Sequence, residues 1–222
     1  VSDVIPVGEY PTENEGPHGI NVGLDGEYWY LSIAHGNPYG WLYKFKTGSN
    51  EFITRTELGM FPASMEISKA TGLLYVVNFN LHGDMEPSTV SVVDPEAMTV
   101  VADIPTGIMP HGSRITENGQ YQYHVSMMTD ELMEISTARM EVSRRLNIAP
   151  GGGNQTASST NEAKMQNASM QSKPVAKPTW ADPHPQKKLV YVAHNGSDEI
   201  VEIDTKSWKV TRRFQTPTGS AP

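Results

Sequence analysis

Apolar and polar residues alternate with a period of two along most of the chain, in short runs separated by turn residues. Val190-Tyr191-Val192 and Ile200-Val201-Glu202-Ile203 show the pattern of half-buried strands, and LDGE, TENG, HNGS and DTKS read as the turns between such runs. No window sustains the i, i+3, i+4 spacing of an amphipathic helix. The pattern predicts an all-β chain.

The strands also repeat. YWYLSIAH (28–35), LLYVVNFN (73–80), YQYHVSMM (121–128) and LVYVAHNG (189–196) stack with Tyr30, Tyr75, Tyr123 and Tyr191 in one column. Thirteen residues before each tyrosine stands a proline: Pro17, Pro62, Pro110 and Pro178. Successive tyrosines are 45, 48 and 68 residues apart. A second anchor follows each strand in VSVVDPEAMTVV, LMEISTARMEVSRRL and IVEIDTKSWKVTRRF, with LYKFKTGSNEFITR as a looser first copy. Linkers recur as PVGEYP, PTGIMP and PTGSAP. Each unit therefore reads as four short strands, and four-stranded units of about 40–45 residues predict a β-propeller.

These units resemble the YVTN-type (YncE-like) β-propeller repeat, and residues 189–214 are the nearest match to it. The resemblance covers the chain apart from about 148–173. It implies a ring of seven or eight blades, of which this chain holds about four, with other blades from the same or another chain. It implies little about activity, because one fold carries many functions. Residues 1–16 read as the last strand of a preceding blade and its linker. The blades are expected at 17–61, 62–109 and 110–147, a polar inter-blade excursion at 148–177, and a blade with the next linker at 178–222. A closed four-blade ring is the alternative.

Composition narrows the classes of function. The net charge is −8 over 222 residues, and no Lys/Arg run exceeds two residues, which disfavours a nucleic-acid groove. No apolar run is long enough to span a membrane. There is no cysteine, which removes disulfides, thiolate metal sites and cysteine nucleophiles. The chain opens without an initiator Met or a signal pattern, so it reads as a mature form or a fragment with any export signal upstream, and a periplasmic or extracellular location is expected. Asn154, Asn167 and Asn195 lie in glycosylation sequons that matter only in a secretory host.

Propeller topology turns these positions into space. His18 and His111 follow the linker proline in Pro-His-Gly turns at the channel mouth, and His35, His82 and His194 end second strands on the same face. Proline ends the linker and glycine permits a tight entry into the innermost strand. Ala63 and Thr179 occupy the histidine position in the other units, so the fold does not require imidazole there. The candidate ligand-binding set is His18, His111, Trp180 and His194, with Trp180 a stacking platform. The candidate metal set is His18, His111, His35 and His82, with a transition metal such as copper as the candidate cofactor. The plainer reading makes these histidines solvent-facing turn residues. Arg144-Arg145 and Arg212-Arg213 read as a solvated outer edge, and Asp94 and Asp204 as residues bonding their own turns.

The favoured function is a binding or scaffold propeller that recognises a small ligand or a protein partner at the channel mouth. A metal- or haem-associated redox propeller with a His-lined mouth is the alternative. A lactonase-like metal-dependent hydrolase is a further one, for which Glu66 and Asn21 are the placeable inner-strand groups. No nucleophile elbow, phosphate loop or HExxH motif is present.

Overall fold

The computed structural model describes residues 4–7, 16–35, 39–81, 83–151 and 173–217. Sixteen strands and no helix occur among them. They form four antiparallel sheets of four strands, each in simple sequential order. Blade 1 holds β1 (Pro17–Val22), β2 (Tyr28–Ile33), β3 (Trp41–Lys46) and β4 (Phe52–Glu57). Blade 2 holds β5 (Pro62–Ile67), β6 (Leu74–Asn78), β7 (Pro87–Asp94) and β8 (Thr99–Ile108). Blade 3 holds β9 (Pro110–Ile115), β10 (Tyr121–Ser126), β11 (Glu131–Ser136) and β12 (Glu141–Asn147). Blade 4 holds β13 (Pro178–Pro183), β14 (Leu189–His194), β15 (Glu199–Asp204) and β16 (Lys209–Gln215).

The innermost strands stand side by side, β1 against β5, β5 against β9 and β9 against β13. Among the described residues no comparable contact brings β13 beside β1. The four blades form an arc about one axis. The core lies between blades because each sheet turns alternate side chains to its two neighbours. Tyr30, Leu42, Met65, Leu74 and Val76 join blades 1 and 2. Tyr75, Val90, Val92 and Ile135 join blades 2 and 3, and Val125, Leu132, Val190, Val201 and Trp208 join blades 3 and 4. Each such apolar side chain, once fully buried, contributes about 1.5–3 kcal/mol.

The tyrosine column is a set of inter-blade pegs. Tyr30 and Tyr75 bury their rings and reach forward, their hydroxyls donating to the carbonyls of Pro95 (3.4 Å) and Thr137 (2.7 Å) in the next blade. Tyr123 instead donates to Glu134 of its own blade at 3.1 Å. Ser143 and Arg144 also bond Glu134, and Arg144 continues forward to the Thr205 carbonyl (2.9 Å) and the face of Trp208. Tyr191, Glu202 and Thr211 repeat this arrangement in blade 4, with Arg212 alongside but largely exposed.

This corrects one expectation. Arg144 and Arg145 are not a solvated edge: Arg144 ties blade 3 to blade 4, and Arg145 pairs with Glu131 and donates backward to the Pro105 carbonyl. Arg213 repeats the backward reach, donating to the carbonyls of Ile148 and Ala149 and pairing with Glu199. Asp94 and Asp204 accept backbone N–H bonds from their own turns, as their positions suggest. Of the excursion expected at 148–177, residues 152–172 lie outside the described residues. Its far end is anchored where Asp130 accepts bonds from the amides of Val175 and Lys177, 2.7 Å each.

Candidate site at the channel mouth

A backbone feature shared by all four blades builds the mouth. The residue before each linker proline is left-handed: Gly16 (φ 55°), Phe61 (54°), Met109 (52°) and Lys177 (44°). Its carbonyl accepts an amide from the end of the second strand, from Ala34, Phe79, Met127 and Asn195 respectively. For the three non-glycine residues this conformation costs about 1–2 kcal/mol each, held by the surrounding ladder. The turn sets the side chains on either side of the proline around the entrance to the innermost strands.

Imidazole and aromatic rings meet there in a continuous row. Phe61 receives His35 at 4.9 Å and His18 at 5.7 Å between ring centroids, both edge-on. Phe79 lies 5.7 Å from Phe61 and 4.8 Å from His111, and His111 lies 6.4 Å from Trp180. The row crosses from blade 1 to blade 4. These edge-to-face separations are the favourable geometry for aromatic pairs. Ala34 and Ala63 complete the buried patch beneath, with Met109 and Met127 packed against it.

The glycine of each Pro-His-Gly turn is required by the next blade. A Cβ on Gly19 would stand 2.1 Å from the Ala63 carbonyl oxygen, and one on Gly112 would stand 1.9 Å from the Trp180 ring. The histidine beside it has a defined state in blade 3. His111 Nδ1 donates to the Thr179 carbonyl at 2.7 Å, so Nε2 carries the lone pair. Burial lowers the pKa of His111, opposed by that bond and reinforced by nearby His18. Burial and then His35 lower that of His18. Both imidazoles are held toward the neutral form, the form that ligates a metal or accepts a hydrogen bond.

The structure thus brings His18, His35, His111 and Trp180 into one row. Trp180 is half-buried, with the Arg114 guanidinium 4.5 Å over its ring. His194 stands apart: it is 4% exposed, and its Nδ1 faces Ser197 at 3.2 Å and Glu199 at 3.8 Å. His82 lies outside the described residues. Among the described residues no group of three or more His, Cys, Asp or Glu side chains is arranged to hold a metal ion. Glu66 is engaged by the Ile115 amide and by Arg114 Nε at 3.3 Å, and Asn21 donates to the Met65 carbonyl at 3.4 Å. Phe61 and Phe79 carry the centre of the row, and only their place beside the linker proline and at the end of a second strand could have marked them.

No family model matches the sequence, and no curated protein is significantly similar to it. Solved structures do match. Hydrazine synthase of Kuenenia stuttgartiensis superposes with a TM-score of 0.69 at 20% identity, covering 96% of this chain and 53% of that one. The dihydro-heme d1 dehydrogenase NirN, in complex with DHE, superposes with a TM-score of 0.65 at 15% identity, covering 91% of this chain and 38% of that one. The chain therefore spans about half the length of the first and less of the second. At these identities the likeness concerns architecture, and with the four sheets described above it establishes an all-β chain of four β-propeller blades.

Proposed function

We propose that this chain is an exported binding propeller of the YVTN repeat type, whose channel mouth takes a flat, conjugated small ligand. The observation that carries this reading is the unbroken row His35–Phe61–Phe79–His111–Trp180, with His18 against Phe61. Ring edges and faces suit a planar ligand, and the Nε2 of His111 offers one directional acceptor among them. A protein partner would need a wider apolar surface than this row supplies.

A haem- or metal-associated role is the second reading. It is favoured by the carbonyl-oriented, neutral imidazole of His111, the arrangement that prepares a histidine to ligate iron or copper. The likeness to NirN, a protein solved with DHE, supports it at the level of fold. His111, with His18 nearby, would hold such a group. No observation favours a lactonase-like reaction, since Glu66 and Asn21 are committed to contacts between inner strands.

Titration with haemin and with metal-free protoporphyrin IX separates the two readings. Under the first, both bind and quench tryptophan fluorescence, and His111→Ala weakens both. Under the second, haemin alone binds, with a Soret shift that His111→Ala abolishes. Failure of both porphyrins to bind would count against the mouth as a planar-ligand site.

A further inference from the structure

The repeats serve as controls for one another on the propeller face opposite the mouth. Between blades 2 and 3 the first hairpin turns are stapled together. The Gly119 carbonyl accepts from Ser68 Oγ (2.6 Å) and Thr137 Oγ1 (2.7 Å), and Lys69 pairs with Glu117 at 3.0 Å. Gly119 has φ +73°, and a Cβ there would stand 2.5 Å from the Ala70 amide nitrogen, so the close approach requires glycine.

Between blades 3 and 4 this staple is missing. Counted back from the repeat tyrosine, Lys187 stands where Gly119 stands one blade earlier. Among the described residues no hydrogen bond joins the Thr116–Gln120 turn to the Pro183–Leu189 turn. A cleft of about 530 Å³ opens between them. That size suits a small ligand and is too small for a macromolecular partner.

The lining has a definite sign in a chain of net charge −8. Lys187, Lys188 and Lys206 border the cleft, are exposed, and form no ion pair among the described residues. His184 is also on the wall. Its Nδ1 accepts the amides of Gln186 (3.0 Å) and Lys187 (3.1 Å), which places the ring proton on Nε2 as a donor. The two carboxylates on the lining are already compensated, Glu117 by Lys69 and Glu134 by Arg144. Tyr121 adds a half-buried ring.

We propose that this cleft between blades 3 and 4 binds a small polyanion, an organic carboxylate or phosphate, held by Lys187, Lys188, Lys206 and the His184 Nε2–H. Charge-assisted bonds from several ammonium groups discriminate by net charge and less by geometry, so carboxylate and phosphate ligands both fit the chemistry. The site is independent of the channel mouth.

Isothermal titration of the full chain with pyrophosphate, with citrate and with uncharged sucrose tests the proposal. Either anion binds and sucrose does not, and comparison of pyrophosphate with citrate identifies the preferred group. Lys187→Ala/Lys188→Ala, at two exposed positions where folding is not at stake, weakens binding at least tenfold, while His111→Ala leaves it unchanged. Lack of heat with both anions, or equal affinity in the double-lysine variant, would overturn it.

Discussion

Replacing Glu134 by alanine destabilises the protein by about 3–5 kcal/mol, the cost of removing one partner from a buried, hydrogen-bonded charge pair. Glu134 is 4% exposed and is the common acceptor of Tyr123, Ser143 and Arg144. Without it the Tyr123 hydroxyl loses its carboxylate acceptor, and Ser143 keeps only its bond to the backbone carbonyl of residue 134. Arg144 also loses the carboxylate that aims it at Thr205 and Trp208. That carboxylate already raises the pKa of the Tyr123 hydroxyl, together with burial, which ranks first among the causes. Glu202 provides the comparison inside the same molecule. It accepts from Tyr191 and Thr211, but Arg212 reaches no further blade among the described residues. Glu202→Ala should therefore cost a small fraction of the Glu134→Ala loss, read from urea unfolding midpoints of the two variants. Equal losses would mean that the inter-blade contact of Arg144 carries none of the stability assigned to it.

Stability falls steeply as pH drops from 7 to 5, and His124 is the main cause. Its side chain is fully buried on β10, and among the described residues neither ring nitrogen has a hydrogen-bond partner. Burial lowers its pKa to about 3, with Arg145 and His111 adding to the effect. A histidine whose folded pKa lies below its unfolded value stabilises the protein fully above about pH 6.5, and that stability is lost as pH falls toward the folded pKa. Below pH 6.5 the unfolded chain takes up a proton that the folded one refuses. The limiting slope is about 1.4 kcal/mol per pH unit for one such group. His194, lowered to about 4, works in the same direction, as do the half-buried His111 and the more exposed His18 to a lesser degree. His124→Leu flattens the dependence of melting temperature on pH between 7 and 5. It exceeds wild type at pH 5, because an unsatisfied polar ring is exchanged for an apolar one. A variant with the unchanged wild-type slope would assign the acid sensitivity elsewhere.

Sequence periodicity carried the architecture because blades repeat their hydrogen bonds. The prolines fix where each innermost strand begins, and the tyrosines mark its partner strand, so all four sheets follow from that one spacing. The left-handed turn before each proline was not legible. Gly16, Phe61, Met109 and Lys177 share no side-chain chemistry, and the residue before proline ordinarily favours extended conformations. Its consequence, the placing of Phe61 at the centre of the mouth, was hidden for the same reason. His18, His35 and His111 were legible because topology alone sends those positions to one face. His194 shows the limit of that argument: it ends a second strand on the same face, yet its side chain turns toward Ser197 and Glu199. Arg144 and Arg212 have the same sequence context, yet among the described residues Arg144 is half-buried against the Thr205 carbonyl and Trp208 while Arg212 is largely exposed.

The mouth is tested most directly by following the seven histidines by NMR in protein labelled at the imidazole nitrogens, while protoporphyrin IX is added. Convergence of the blades at one opening predicts that the His18, His35 and His111 resonances move together along a single binding curve, with His184 and His194 unmoved. Movement of His184 or His194 without the other three, or of His18 and His111 along separate curves, would contradict a shared site at the mouth.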